Sequence, residues 1–217
     1  MVGAIRKRDI LAHPVVTIRC FGWPVFLKTV IAGRRQTFLT LLAETKAFGP
    51  LTGEVPNLLE KCVCLELQAK RIYEALAERF SDRASVREFF ETLAAQEREH
   101  SEMLELCGEI AGHGGWQEKL FAPWRDAVPG LEQQMDSVEA SLVDLDSVGE
   151  ALRLVLQVES SEINQVFESV VAATNSEFVR HLEPFQVAGV KHISYIQDRI
   201  PKLESGLAPE CRALNTE

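Results

Sequence analysis

Apolar positions recur at helical spacing through most of the chain beyond residue 55, and four long amphipathic helices follow from them. The first spans about Asn57–Phe80, with the stripe Leu58, Cys62, Leu65, Ala69, Ile72, Leu76 and Phe80. The second spans about Ser85–Ile110, with Val86, Phe89, Phe90, Leu93, Leu104 and Cys107 on its apolar face, Ser85 as its N-cap and Glu88 as the capping-box partner. The third spans about Val148–Ala173 on Leu152, Val155, Leu156, Ile163, Val166 and Val170. The fourth spans about Glu177–Ile200 on Phe185, Ala188, Ile196 and Ile200, and is expected to stop at Pro201. Between the second and third helices, Ala111–Ser147 reads as a long connection rich in Gly, Pro and Trp, helical at Leu131–Leu142. A long link after two antiparallel helices suits a crossover to the far end of a four-helix bundle.

The first quarter differs in kind. Residues 1–55 hold 8 Lys/Arg and 3 Asp/Glu, net +5, whereas residues 56–217 hold 15 and 29, net −14, which sum to the overall −9. The sequence therefore divides into a basic amphipathic N-terminal arm (1–55), a helical bundle (56–201) and a polar C-terminal tail (202–217). The arm is expected to pack on its own bundle or on a second subunit; docking on a membrane surface or a protein partner is the alternative. The acidic bundle argues against nucleic acid as a partner.

The five cysteines include no Cys-x-x-Cys pair, so a rubredoxin-type or zinc-ribbon site is not expected. Reduced thiols in a cytoplasmic protein are the reading favoured. No run approaches the roughly 18 apolar residues of a membrane span.

Four apolar stripes carry a carboxylate or imidazole near mid-helix. Glu66 borders the first, with Tyr73 two turns further along the same face. Glu97 and His100 interrupt the second at i and i+3, the spacing that points both side chains one way. Glu159 interrupts the third, with Glu162 on its flank, and His192 sits within the fourth. In an up-down bundle these midpoints converge. Buried charges in such number require mutual pairing or a metal. Four carboxylates with two imidazoles suit iron, or manganese, better than a structural zinc.

With Glu66-x6-Tyr73, Glu97-x-x-His100 and Glu159-x-x-Glu162 in this order, residues 57–200 resemble the ferritin-like superfamily, and most closely its rubrerythrin-like branch. The resemblance implies an all-α ferritin-like four-helix bundle. It also implies a non-haem di-iron oxidoreductase that reacts with dioxygen or hydrogen peroxide. Glu66, Glu97, His100, Glu159, Glu162 and His192 would be its metal ligands, and Tyr73 would tune or protect the site. The fourth helix departs from the pattern: where the family expects a second Glu-x-x-His, this chain has Gly189-Val190-Lys191-His192. Two irons are expected if Glu162 supplies the missing carboxylate, and one if the second position is weakened. Without rubredoxin-like cysteines, electrons would come from an external donor. Ferroxidase, iron storage or delivery is a second reading, and a degenerate-site scaffold using the basic arm a third. A transfer-RNA hydroxylase on the same fold is more remote. Ferritin-like bundles commonly pair, which leaves a homodimer open.

Overall fold

A computed structural model of the chain describes residues 55–114, 122, 124–161, 163–173 and 183–214. The basic arm and Glu162 lie outside the described residues. The elements are α1 (Val55–Arg79), α2 (Ala84–Gly114), α3 (Trp124–Ser141), a 3-10 turn (Leu142–Asp144), α4 (Val148–Glu159), α5 (Ile163–Ala173), α6 (Glu183–Leu203), a second 3-10 turn (Ser205–Leu207) and α7 (Ala208–Cys211). Among the described residues every regular element is helical, as the periodicity predicts. None of these helices is long and apolar enough to cross a membrane.

The short turn after α1 reverses the chain, and α1 and α2 pack antiparallel. Phe80 meets Phe90 at the turn end, and Leu59 reaches Gly108 at the other. The turn is tied by backbone bonds from Ser81 to Glu78 and from Arg83 to Phe80. The capping expectation is corrected here. α2 begins at Ala84, so Ser85 falls inside the first turn, and Glu88 instead reaches Arg199 of α6 at 3.9 Å.

The connection is more ordered than its glycines and prolines suggest. α3 occupies 18 residues of it and buries Val128, Leu131, Met135 and Val138, a 3-4-3 spacing that makes one face. Lys61 pairs with Glu132, Gln68 with Asp136 and Glu139, and Arg71 with Glu139. Positions rise together along both helices, so α3 runs parallel to α1. Arg79 then donates to the carbonyls of Leu145 and Val143, which brings the chain to the α1–α2 turn end. α3 is thus the crossover: it returns the chain to the end where α2 began.

α4 opens on a capping box. Ser147 Oγ accepts from the Glu150 amide at 3.2 Å, and Glu150 Oε2 accepts from the Ser147 amide at 3.0 Å. The single third helix expected over 148–173 is two helices. α4 ends at Glu159; Ser160 and Ser161 form a turn in which Ser161 N and Oγ both bond to the Val158 carbonyl. A serine hydroxyl that competes for a helical carbonyl favours such a break. α6 returns alongside α2, with Tyr195 stacked on Phe89 at 5.8 Å.

The expectation of a stop at Pro201 and a polar tail from 202 is also corrected. α6 continues through Pro201 to Leu203. The chain then folds back, burying Leu207, Cys211 and Leu214, while Gln197 Nε2 donates to the carbonyls of Cys211 and Leu214 at 3.3 and 3.0 Å. Proline removes one donor but does not outweigh the burial of Ile200 below it. Leu207→Ala should therefore cost about 2–5 kcal/mol of stability, read as a lower denaturant midpoint with an unchanged slope. A cost within about 0.5 kcal/mol, as expected for a surface position, would return the segment to a solvated tail.

Candidate metal centre

Four helices deliver polar side chains to one level of the core. Glu66 comes from α1, Glu97 and His100 from α2, Glu159 from the last residue of α4, and His192 from α6. Each is at most 6% exposed, and Tyr73 beside them is fully buried. His100 packs its ring on Phe167 at 4.7 Å and lies 5.2 Å from the ring of His192.

Two groups with metal-ligand spacing result: Glu66, Glu97 and His100, and Glu97, Glu159 and His192. Glu97 belongs to both, and its two oxygens divide the work. Oε2 lies 3.1 Å from His100 Nδ1, while Oε1 lies 3.2 Å from His192 Nε2. Glu66 Oε2 stands 3.7 Å from His100 Nδ1, and Glu159 Oε2 stands 2.8 Å from His192 Nε2. The Tyr73 hydroxyl donates to Glu159 Oε1 at 2.5 Å, and His192 Nδ1 is 2.9 Å from Gln96 Oε1.

The charges are set by burial and by this crowding. Burial pushes the Glu66 carboxyl up to about 8, against the opposing pull of the nearby His100 imidazole. Burial also disfavours ionised Glu97, but the charge of His192 and the hydrogen bond and charge of His100 outweigh it and hold Glu97 at about 2. His100 stands well above the usual imidazole range, because Glu66 and Glu97 overcome the effect of burial. His192 is raised in the same way by Glu159 and Glu97. Burial, then the Glu159 charge, drives the Tyr73 phenol well above its ordinary value, so it remains a donor. Protons hold together a cluster that a cation would otherwise hold.

The donor set fits a metal pair. Glu66 Oε2 and His192 Nε2 are buried without a hydrogen bond, although carboxylate oxygens stand within 3.2 Å of the latter. Glu159 Oε2 and Glu97 Oε1 both converge on His192 Nε2, and the three residues have the spacing of ligands around a shared point. Of the residues singled out in the sequence, Glu66, Tyr73, Glu97, His100, Glu159 and His192 come together; Glu162 lies outside the described residues. Gly189 lies in α6 one turn before His192, so that turn brings no carboxylate. Gln96 escaped the sequence reading because it is uncharged and off the apolar stripe.

The four described cysteines are free, and Cys62, one turn before Glu66, is pushed up to about 12 by burial and then by the Glu66 charge. Its thiol is an inert core group.

No curated protein and no solved structure matches the chain. Residues 57–120, which carry Glu66, Tyr73, Glu97 and His100, match the family model described as Rubrerythrin, a stretch that takes in most of α1 and all of α2.

Proposed function

We propose that this centre binds two iron ions and that the protein is a non-haem di-iron oxidoreductase acting on dioxygen or hydrogen peroxide. The observation that carries the reading is the division of Glu97, one oxygen toward each histidine, with a further carboxylate beside each. Glu66, Glu97 and His100 would hold one ion and Glu97, Glu159 and His192 the other, with Glu97 common to both groups. The oxygen-rich set with two nitrogens also accepts manganese. Iron bound there would supply the redox chemistry, giving electrons to the oxidant.

The protein's own groups prepare the site. Tyr73 retains its proton and occupies one oxygen of Glu159, which leaves the other for a metal. Phe167 and the surrounding apolar side chains keep bulk water from the ligands. Because the sequence has no Cys-x-x-Cys pair, electrons come from an external donor, and the free thiols accord with a reducing, cytoplasmic setting.

Anaerobic loading with ferrous iron, followed by mixing with dioxygen or peroxide, tests this. About two irons per chain and rapid loss of the ferrous state are expected. A folded protein that takes up no iron, or whose bound ferrous iron survives both oxidants, would refute the reading.

A further inference from the structure

Resting on that reading of the centre, we infer that Gln96 is the positioning residue of the second metal position: its side-chain carbonyl fixes the tautomer and aim of His192. Among the described residues of α6, His192 is the one that reaches the centre, and the turn before it carries Gly189 where a carboxylate would project. Its orientation must therefore be imposed from outside α6. The two neighbouring residues of α2 do so. Gln96 Oε1 lies 2.9 Å from Nδ1, and Glu97 Oε1 lies 3.2 Å from Nε2, so one turn of α2 grips both nitrogens of the ring.

An amide oxygen only accepts, so Nδ1 carries the hydrogen in this contact. When a metal displaces the other proton, the lone pair left is the one on Nε2, which faces Glu97 and Glu159. A histidine ligand whose second nitrogen donates to a fixed acceptor is held in the tautomer and rotamer that binding requires. The position that lacks a carboxylate in sequence thus has an anchor behind both of its remaining terminal ligands, Gln96 behind His192 and Tyr73 behind Glu159. At the other position Glu66 Oε2 makes no hydrogen bond.

The test uses the full chain, with cobalt(II) titration for affinity and zinc-loaded, 15N-histidine-labelled protein for tautomer. In the wild type, His192 should show a protonated Nδ1 and a zinc-bound Nε2. Gln96→Leu keeps the bulk and removes the acceptor. It should weaken one of the two cobalt positions about 10–100-fold and leave the other near its wild-type affinity. Gln96→Glu restores an acceptor and should recover binding, which a purely structural role for the side chain would not require. Gln96 is only half-buried, and helical circular dichroism on each variant verifies the fold. Unchanged affinity at both positions in Gln96→Leu, failure of Gln96→Glu to recover binding, or zinc on Nδ1 of His192 would each overturn the role of Gln96 while leaving the centre intact. A folded wild type that binds neither cobalt nor zinc would overturn the centre as well, so the two failures are distinguishable.

Discussion

Glu97→Ala should leave the folded protein with no bound iron, whereas Glu66→Ala and Glu159→Ala should each retain about one ion per chain. The contrast follows from sharing. Glu66 pairs with His100 and Glu159 with His192, but Glu97 presents a different oxygen to each histidine. Its removal takes one donor from both positions and the bridging charge from between them. The same change affects the metal-free fold. Both imidazoles are held protonated by carboxylates, Glu97 among them. Removing one partner of a buried ion pair costs about 3–5 kcal/mol, because the remaining charge has no water to turn to. Glu97→Gln keeps the shape and separates the two effects: it should lose iron equally while losing less stability. Elemental analysis beside denaturant unfolding reads both. One iron retained in Glu97→Ala would make Glu97 a ligand of a single position, and two would remove it from the centre.

The residues that interrupt apolar stripes were legible because an ionisable group on a core face is costly and so demands a reason. Glu66, Glu97, His100, Glu159 and His192 all announce themselves in this way, and all five are buried together. Gln96 gives no such signal. It is neutral and half-buried, and its partner lies 96 residues away, a pairing that only the folded bundle makes. The buried tail and the early start of the crossover helix are hidden in the sequence for another reason. Leu207, Cys211 and Leu214 stand at i, i+4 and i+7, and Val128, Leu131, Met135 and Val138 share one face. Those spacings were present in sequence but were masked by the prolines and glycines around them, which mark turns only where tertiary burial does not overrule them. The break after Glu159 had only Ser160 and Ser161 to advertise it, a weak signal against two strongly apolar flanks.

Raising the pH should destabilise the metal-free protein and strengthen the metal-loaded one. Glu66 titrates near 8 in the fold against an ordinary 4.5, so between these values the folded state holds a proton that the unfolded state has lost. His100 and His192, raised above 6.5, do the same from that value upward. Their contribution is complete below 6.5 and is lost as pH rises through the folded values. Wherever the folded state binds more protons, stability falls as pH rises, by about 1.4 kcal/mol per pH unit for each extra proton. Glu97, held at about 2, has the opposite sign, but its contribution is complete above 4.5 and is lost only as pH falls toward 2. Metal-free stability should therefore peak near pH 4.5 and decline toward pH 8. Metal binding needs these ligands deprotonated. At pH 6, one proton from each of Glu66, His100 and His192 should be released on loading, about three per chain, and affinity should rise with pH accordingly. The gap in melting temperature between loaded and chelator-treated protein must then widen from pH 5.5 to pH 8. Thermal unfolding across that range, with proton release followed in weak buffer, measures both quantities. A metal-free melting temperature that climbs steadily from pH 5.5 to 8 would mean that carboxylate repulsion is not neutralised by protons in the core, and that the cluster is assembled on another charge balance.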